Sequence, residues 1–314
     1  MSERYLDAAQ REEVATLRRS FTARSEWPTW LLLFATYVGW LGLLAASQVL
    51  GRWPSIILLV PLVTLWLSLQ HELLHGHPTR SQRLNKLLGY APLAIWYPYT
   101  LYRDSHLAHH RDEHLTLPGI DPESRYLAPQ AWQRSNPLQR GLAWADKTLL
   151  GRLLFGAPLA LAALAREEGA RLWRGERQAW LMWSTHGALT LMMLALIQHY
   201  SALSALDYLL WVSLPALSLA MLRSFYEHRP AVRPEQRSVL NEAGWPLRWL
   251  FLNINLHLVH HDLPSLPWYY LPRIYQARRE QWRARSGGFL VQGYAALARR
   301  HALRPVDSPR HPFA

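Results

Sequence analysis

The chain contains no cysteine. That excludes disulfides, a thiolate-ligated haem and any built-in iron–sulfur or rubredoxin-type centre. Acidic residues are scarce, 22 against 34 Lys and Arg, for a net charge of +12. Such an excess would suit a nucleic-acid binder, but the placement of the apolar residues argues against that class. Residues 1 to 26 are charged and lack the apolar core and small-residue cleavage site of a signal peptide. There is no repeat at solenoid periods, no low-complexity tract and no plausible domain boundary, so residues 1–314 are expected to form a single domain.

What the sequence does contain is long uncharged runs. Between Glu26 and Arg52 stand 25 residues without a charge, "WPTWLLLFATYVGWLGLLAASQVLG", more than the roughly 20 a helix needs to cross a bilayer. "WPSIILLVPLVTLWLSLQ" follows Arg52 and stops at His71, a third run spans 178 to 206, and a fourth leads from Asp207 to Arg223. The expectation is an all-α integral membrane protein with four transmembrane helices, near 28–50, 54–71, 179–199 and 205–224, paired as two hairpins. Buried helices of a large soluble protein would not be so sharply bounded. Trp27, Trp30, Trp53, Trp180, Trp183 and Tyr208 cluster near the span ends, as an interfacial aromatic belt would.

Charge asymmetry orients the chain. Residues 73 to 177 hold fourteen Arg and Lys, the segment after Arg223 is arginine-rich, and the two hairpin connections offer Arg52 alone. The positive-inside rule then places both termini and the middle segment in the cytoplasm, with anionic headgroups as a further attraction. Two shorter apolar stretches are not counted as spans. Residues 87–102, sixteen residues with Pro92 and Pro98, are expected to be re-entrant or interfacial. Residues 148–165, interrupted by Arg152, are expected to lie along the surface.

Histidines are concentrated in three places: "HELLHGH" at 71–77, "HLAHH" at 106–110 and "HLVHH" at 257–261. Residues three and four apart share a helix face, so each cluster is expected to offer two or three imidazoles to a common point. The four-span topology, inferred without the histidines, brings all three clusters and His228 to one side. Imidazole suits Fe, Zn, Cu and Ni, so ligand type alone names no metal. Taken singly, any of these residues could be a surface or hydrogen-bonded core histidine; the repeated H-x-x-H-H spacing sets the group apart.

With these clusters in view, the chain resembles the membrane-bound fatty acid desaturase superfamily, with its related hydroxylases and carotenoid ketolases, over about residues 30 to 275. The resemblance implies a four-span bundle under a cytoplasmic helical cap that carries a histidine-rich di-iron site. It also implies O2-dependent attack on a C–H bond of a lipid acyl chain, most simply desaturation and alternatively hydroxylation or ketolation. Carried over, the ligands of the two Fe ions are His71, His75, His106, His109, His110, His228, His257, His260 and His261. Electrons would come from an external donor of ferredoxin, rubredoxin or cytochrome type. One departure is Ser224, where several relatives carry an Asn that completes the site through water.

Glu72, Asp104, Asp112 and Asp262 are candidates to orient ligand imidazoles. His77 and His114 extend clusters but read as outlying residues. His186, inside the third span, reads as hydrogen-bonded between helices or as lining a tunnel. His199, His301 and His311 receive no chemistry. Readings from other classes fit less well. A hydrolytic zinc site needs three ligands and an open position, far fewer than nine, and a transporter would place ionisable groups near the midplane. A scaffold with incidental histidines is the third alternative.

Overall fold

The computed structural model describes residues 6–314, excluding the side chain of Asp112. It is mostly helical. Helices α1 (Ala8–Arg19) and α2 (Phe21–Ser25) lead into α3 (Trp27–Leu50) and α4 (Arg52–Leu74). The short α5 (Gln82–Gly89) and α6 (Tyr99–His109) follow, then α7 (Pro129–Arg134) and α8 (Pro137–Asp146). Three long helices come next: α9 (Leu149–Trp173), α10 (Arg177–Tyr200) and α11 (Ala205–Arg223). The C-terminal third carries α12 (Leu247–Leu250), α13 (His257–Asp262), α14 (Leu271–Ala277), α15 (Arg279–Arg285) and α16 (Gly293–His301). Two-residue strands at Leu240–Asn241 and Leu290–Val291 pair in parallel.

Among the described residues five helices, α3, α4, α9, α10 and α11, are long and apolar enough to cross a membrane, one more than the four expected. The addition is α9, which continues eight residues past the expected end of the 148–165 segment and absorbs Arg152 in a π-helical turn over Arg152–Gly156. The eight added residues begin at the charged Arg166, where the apolar run stops; the buried Arg152 is paired, its Nε 3.0 Å from both the Asp146 backbone oxygen and Oδ1.

Helix α4 is the centre of the bundle. Leu59, Val63, Trp66, Leu69 and Leu73 have no exposed surface, as expected of a helix apolar on every face. By contrast Leu31, Phe34 and Leu41 of α3 and Leu181 and Leu191 of α10 are more than half exposed, the surface a bilayer would cover. The α3–α4 and α10–α11 turns meet at one end of the bundle. There Arg52 pairs with Asp207, and the Ala202 amide donates to Ser47 Oγ at 2.8 Å. Gly51 makes the first turn at φ +81°, a conformation that favours glycine. His71, in the last turn of α4, therefore stands at the opposite end. Both ends of α9 also lie toward that opposite end: Ala157 packs with Leu217 and Met221 of α11, and Glu168 Oε2 accepts from Trp183 Nε1 near the start of α10.

Residues 90–98 form an irregular, largely buried segment between α5 and α6. Its carbonyls would be costly in an apolar interior without partners. Three find them on the long helices. Tyr208 Oη donates to Leu93 O (2.7 Å), Ser213 Oγ to Ala94 O (2.6 Å) and His186 Nε2 to Ile95 O (2.5 Å). His186 thus bonds between elements. Tyr208 does not belong to an interfacial belt: it is fully buried and also accepts from Trp40 Nε1 at 2.8 Å. Trp27, Trp30, Trp53 and Trp180 are exposed as expected.

Candidate metal centre

Four chain segments deliver histidines to the end of the bundle opposite the hairpin turns. The last turn of α4 presents His71, with His75 at its C-cap. Helix α6, starting just after Pro98, presents His106 and His109, with His110 at its C-cap. His228 follows α11 in a short hairpin closed by a bridge to Ser238. Helix α13 presents His257, His260 and His261; it is docked there by the Leu258 amide, which donates to Val239 O at 3.0 Å.

The nine histidines form two groups. His71, His75, His106, His110 and His260 make one; His109, His228, His257 and His261 make the other, and within each the candidate ligand atoms lie within 4.8 Å of one another. The two are neighbours, since the rings of His110 and His261 stack with centroids 4.1 Å apart. One expectation is corrected here. An H-x-x-H-H box does not converge on one point but feeds both groups. In α6, His106 and His110 go to one group and His109 to the other; in α13, His257 and His261 go together and His260 apart. Each residue turns about 100° around a helix, so positions i and i+4 differ by roughly 40° while i+3 and i+4 diverge by about 100°.

The spacing fits metal ions. In the four-histidine group Nε2 of His228 lies 3.0 Å from Nε2 of both His109 and His257, and His261 Nε2 lies 3.1 Å from His257 Nε2. In the five-histidine group the Nε2 separations are 3.0 Å for His106–His110, 3.1 Å for His75–His106 and 3.2 Å for His110–His260. Nitrogens about 2.1 Å from a common ion and close to right angles apart stand roughly 3 Å from each other. Burial holds His110, His228, His257, His260 and His261 well below the usual histidine range, hence neutral and able to ligate.

For His106, His109 and His228 the other ring nitrogen is hydrogen-bonded to a partner that fixes ring orientation. His109 Nδ1 donates to Asp121 Oδ1 (2.8 Å) and His106 Nδ1 to Glu123 Oε1 (2.9 Å). His228 Nδ1 lies 3.2 Å from Ser238 Oγ, and His257 Nδ1 lies 3.5 Å from Glu227 Oε1. Burial would lower His109, but the Glu123 and Asp121 carboxylates overcome it and raise the ring to about 9. Carboxylates that favour a proton on this imidazole also favour a cation bound to it.

None of these four partners was among the expected orienting residues. Of those, Glu72 Oε1 lies 3.6 Å from His71 Nδ1 while its Oε2 accepts from the Trp268 amide. Asp104 is instead exposed and paired with Arg103 (2.7 Å), because it lies on the solvent side of α6. Asp262 is buried against Arg285, and the side chain of Asp112 lies outside the described residues. His77 is buried 2.6 Å from Glu26 Oε1, separate from both groups; burial opposes a proton there, but the carboxylate prevails and raises the ring. His114 belongs to neither group. Ser224 Oγ donates to Met221 O at 3.4 Å. His311 is buried with Nε2 3.1 Å from Thr116 Oγ1, and His301 Nδ1 donates to Arg304 O.

Helices long and apolar enough to cross a membrane end in two groups of imidazoles that could each hold a metal ion, and sequence comparison narrows the class. The fatty acid desaturase family profile matches residues 47–292; the chain belongs to that family. It is also similar to a sphingolipid delta(4)-desaturase/C4-monooxygenase of Mus musculus, 52% identical over 29 residues. That match spans 9% of this chain and 9% of the mouse protein.

Proposed function

We propose that the protein is an O2-dependent di-iron lipid desaturase whose ligands are the nine histidines of the two groups, five on one iron and four on the other. The observation that carries this reading is the Nε2 separations of 3.0–3.2 Å within both groups. Five and four imidazoles per group are more than a tetrahedral zinc site with an open position takes, and suit five- or six-coordinate iron. Iron held there supplies the power to break an unactivated C–H bond. Desaturation removes two hydrogens from adjacent methylenes and forms the double bond, while O2 takes up those hydrogens, two electrons and two protons to leave as two waters. Hydroxylation breaks one C–H bond, places one oxygen on carbon and releases one water. The mouse relative's name joins both outcomes, so hydroxylation is the second reading.

The chain's own part is to orient imidazoles through Asp121, Glu123 and Ser238, to keep a substrate methylene beside the histidines, and to exclude water. The same reading takes α3, α4, α10 and α11 as the four spans, with α9 along the cytoplasmic face and both termini and the histidines on that side. The chain is taken as one domain, and the electron donor as a separate ferredoxin, rubredoxin or cytochrome. Purified protein is expected to carry two irons per chain by elemental analysis. Stoichiometric zinc from iron-replete medium, with activity persisting in a zinc-only preparation, would overturn the assignment.

A further inference from the structure

Residues 306–311 run back across the loop that joins α6 to α7, and their bonds reach the four-histidine group by two routes. The first starts at the buried His311. Its Nε2 lies 3.1 Å from Thr116 Oγ1, the Thr116 amide donates to Asp121 Oδ2 at 2.8 Å, and Asp121 Oδ1 accepts from His109 Nδ1 at 2.8 Å. The second starts at Asp307. Its Oδ2 accepts from Tyr126 Oη, and the same phenol oxygen lies 3.3 Å from His228 O. One phenol hydrogen serves both acceptors, so the contact with His228 depends on where Asp307 holds the ring. Lys147 fixes that place: its Nζ lies 3.0 Å from Asp307 Oδ1 and 3.3 Å from the centre of the Tyr126 ring.

The two groups of histidines differ in how much they need such support. All five imidazoles of the larger group lie in helices or cap them. His228 is the one ligand of the nine that does neither; it stands in a short hairpin after α11. A ligand left free to move lowers metal affinity, because binding must then order it. His109 and His228 are 119 residues apart in the chain, yet their Nε2 atoms lie 3.0 Å from each other. The routes from residues 306–311 end on these two. The five-histidine group takes one partner from the same loop, Glu123 on His106, whereas the tail bonds to the loop at Thr116, Tyr126 and Leu127.

We infer, resting on the di-iron reading above, that residues 306–311 position the four-histidine metal centre and not its neighbour, with Tyr126 and His311 as the two positioning residues. Tyr126 acts through the backbone of His228, and His311 acts through Thr116 and Asp121 on His109.

The test uses the full-length chain in nanodiscs, loaded with iron-57. Chelator competition is followed by Mössbauer spectroscopy, in which the signal missing from His228→Ala identifies the four-histidine iron. Tyr126→Phe and His311→Ala are each expected to weaken iron binding there about fivefold, the net effect of losing one hydrogen bond. The five-histidine signal should keep its shape and its affinity. His311→Gln, which retains a polar group to meet Thr116, should recover most of the loss. Should one of the first two variants fail to fold, the other still decides, since each cuts a different route. Equal weakening of both irons would reduce the tail to a general brace and overturn the inference. Unaltered binding in Tyr126→Phe and His311→Ala would overturn it as well, and both results leave the di-iron reading standing. A single iron per chain in the unaltered protein would instead overturn that reading, and the inference with it.

Discussion

His106, His109 and His110 are consecutive members of one motif, yet a rotation of about 100° between neighbours sends His109 to a different centre from His110. Each ligand therefore has its own set of dependants. His228, outside every motif, is one of four in its group. His228→Ala is expected to lower iron toward one per chain and abolish turnover while the protein inserts and purifies normally; wild-type iron content would remove it from the ligand set. The orienting carboxylates can be ranked in the same way. Asp121→Asn should weaken iron binding in the four-histidine group about 10- to 100-fold, the usual effect of losing a ligand's outer partner. Asp104→Asn should do nothing, since Asp104 faces Arg103 and solvent. Chelator competition on the two variants distinguishes them. The clustering of the histidines was legible in the sequence because imidazole spacing is local. Asp121 and Glu123 were not, because they lie 12 and 17 residues beyond the rings they hold and nothing nearby marks them.

At the level of elements, the loop carrying Asp121 and Glu123 is held by a C-terminal strap. The Leu127 amide donates to Pro309 O (2.8 Å) and the His311 amide returns to Leu127 O (3.0 Å). His311 Nε2 meets Thr116 Oγ1, and the Thr116 amide donates to Asp121 Oδ2 at 2.8 Å. Lys147 Nζ, 3.0 Å from Asp307, fastens the strap further back. His311→Ala is expected to speed amide exchange across residues 116–127 without changing α13; equal protection in both proteins would show that the strap carries no load there. Long-range ties of this kind leave no periodic trace. The apolar runs of α3, α4, α10 and α11 did, and their ends fall within a few residues of the expected spans. Helix α9 was not counted as a span because Arg152 interrupts its apolar run, and its end was set at residue 165 because charged residues begin at Arg166. The break in helix over residues 90–98 was legible from its two prolines, but its anchoring by Tyr208, Ser213 and His186 was not.

For the whole molecule, the topology turns on α9. With five crossings, the chain before α9 and the chain after it would exchange sides, and the first two histidine clusters would be parted from the third. Packing of its two ends against Met221 and Trp183 favours a helix that enters the interface and returns, as does the continuity of both histidine groups across that divide. The cysteine-free chain permits a direct measurement. Single cysteines at the exposed positions Ser81, Gln133 and Arg174 are expected to react with an impermeant maleimide from the cytoplasmic side. A cysteine at Ala202, exposed between α10 and α11, should react only from the other face. The decisive pair is Gln133 and Arg174, which flank α9 on either side. Labelling of these two from opposite faces would establish a fifth crossing, place His106 and His257 across the bilayer from each other, and dismantle the shared di-iron site.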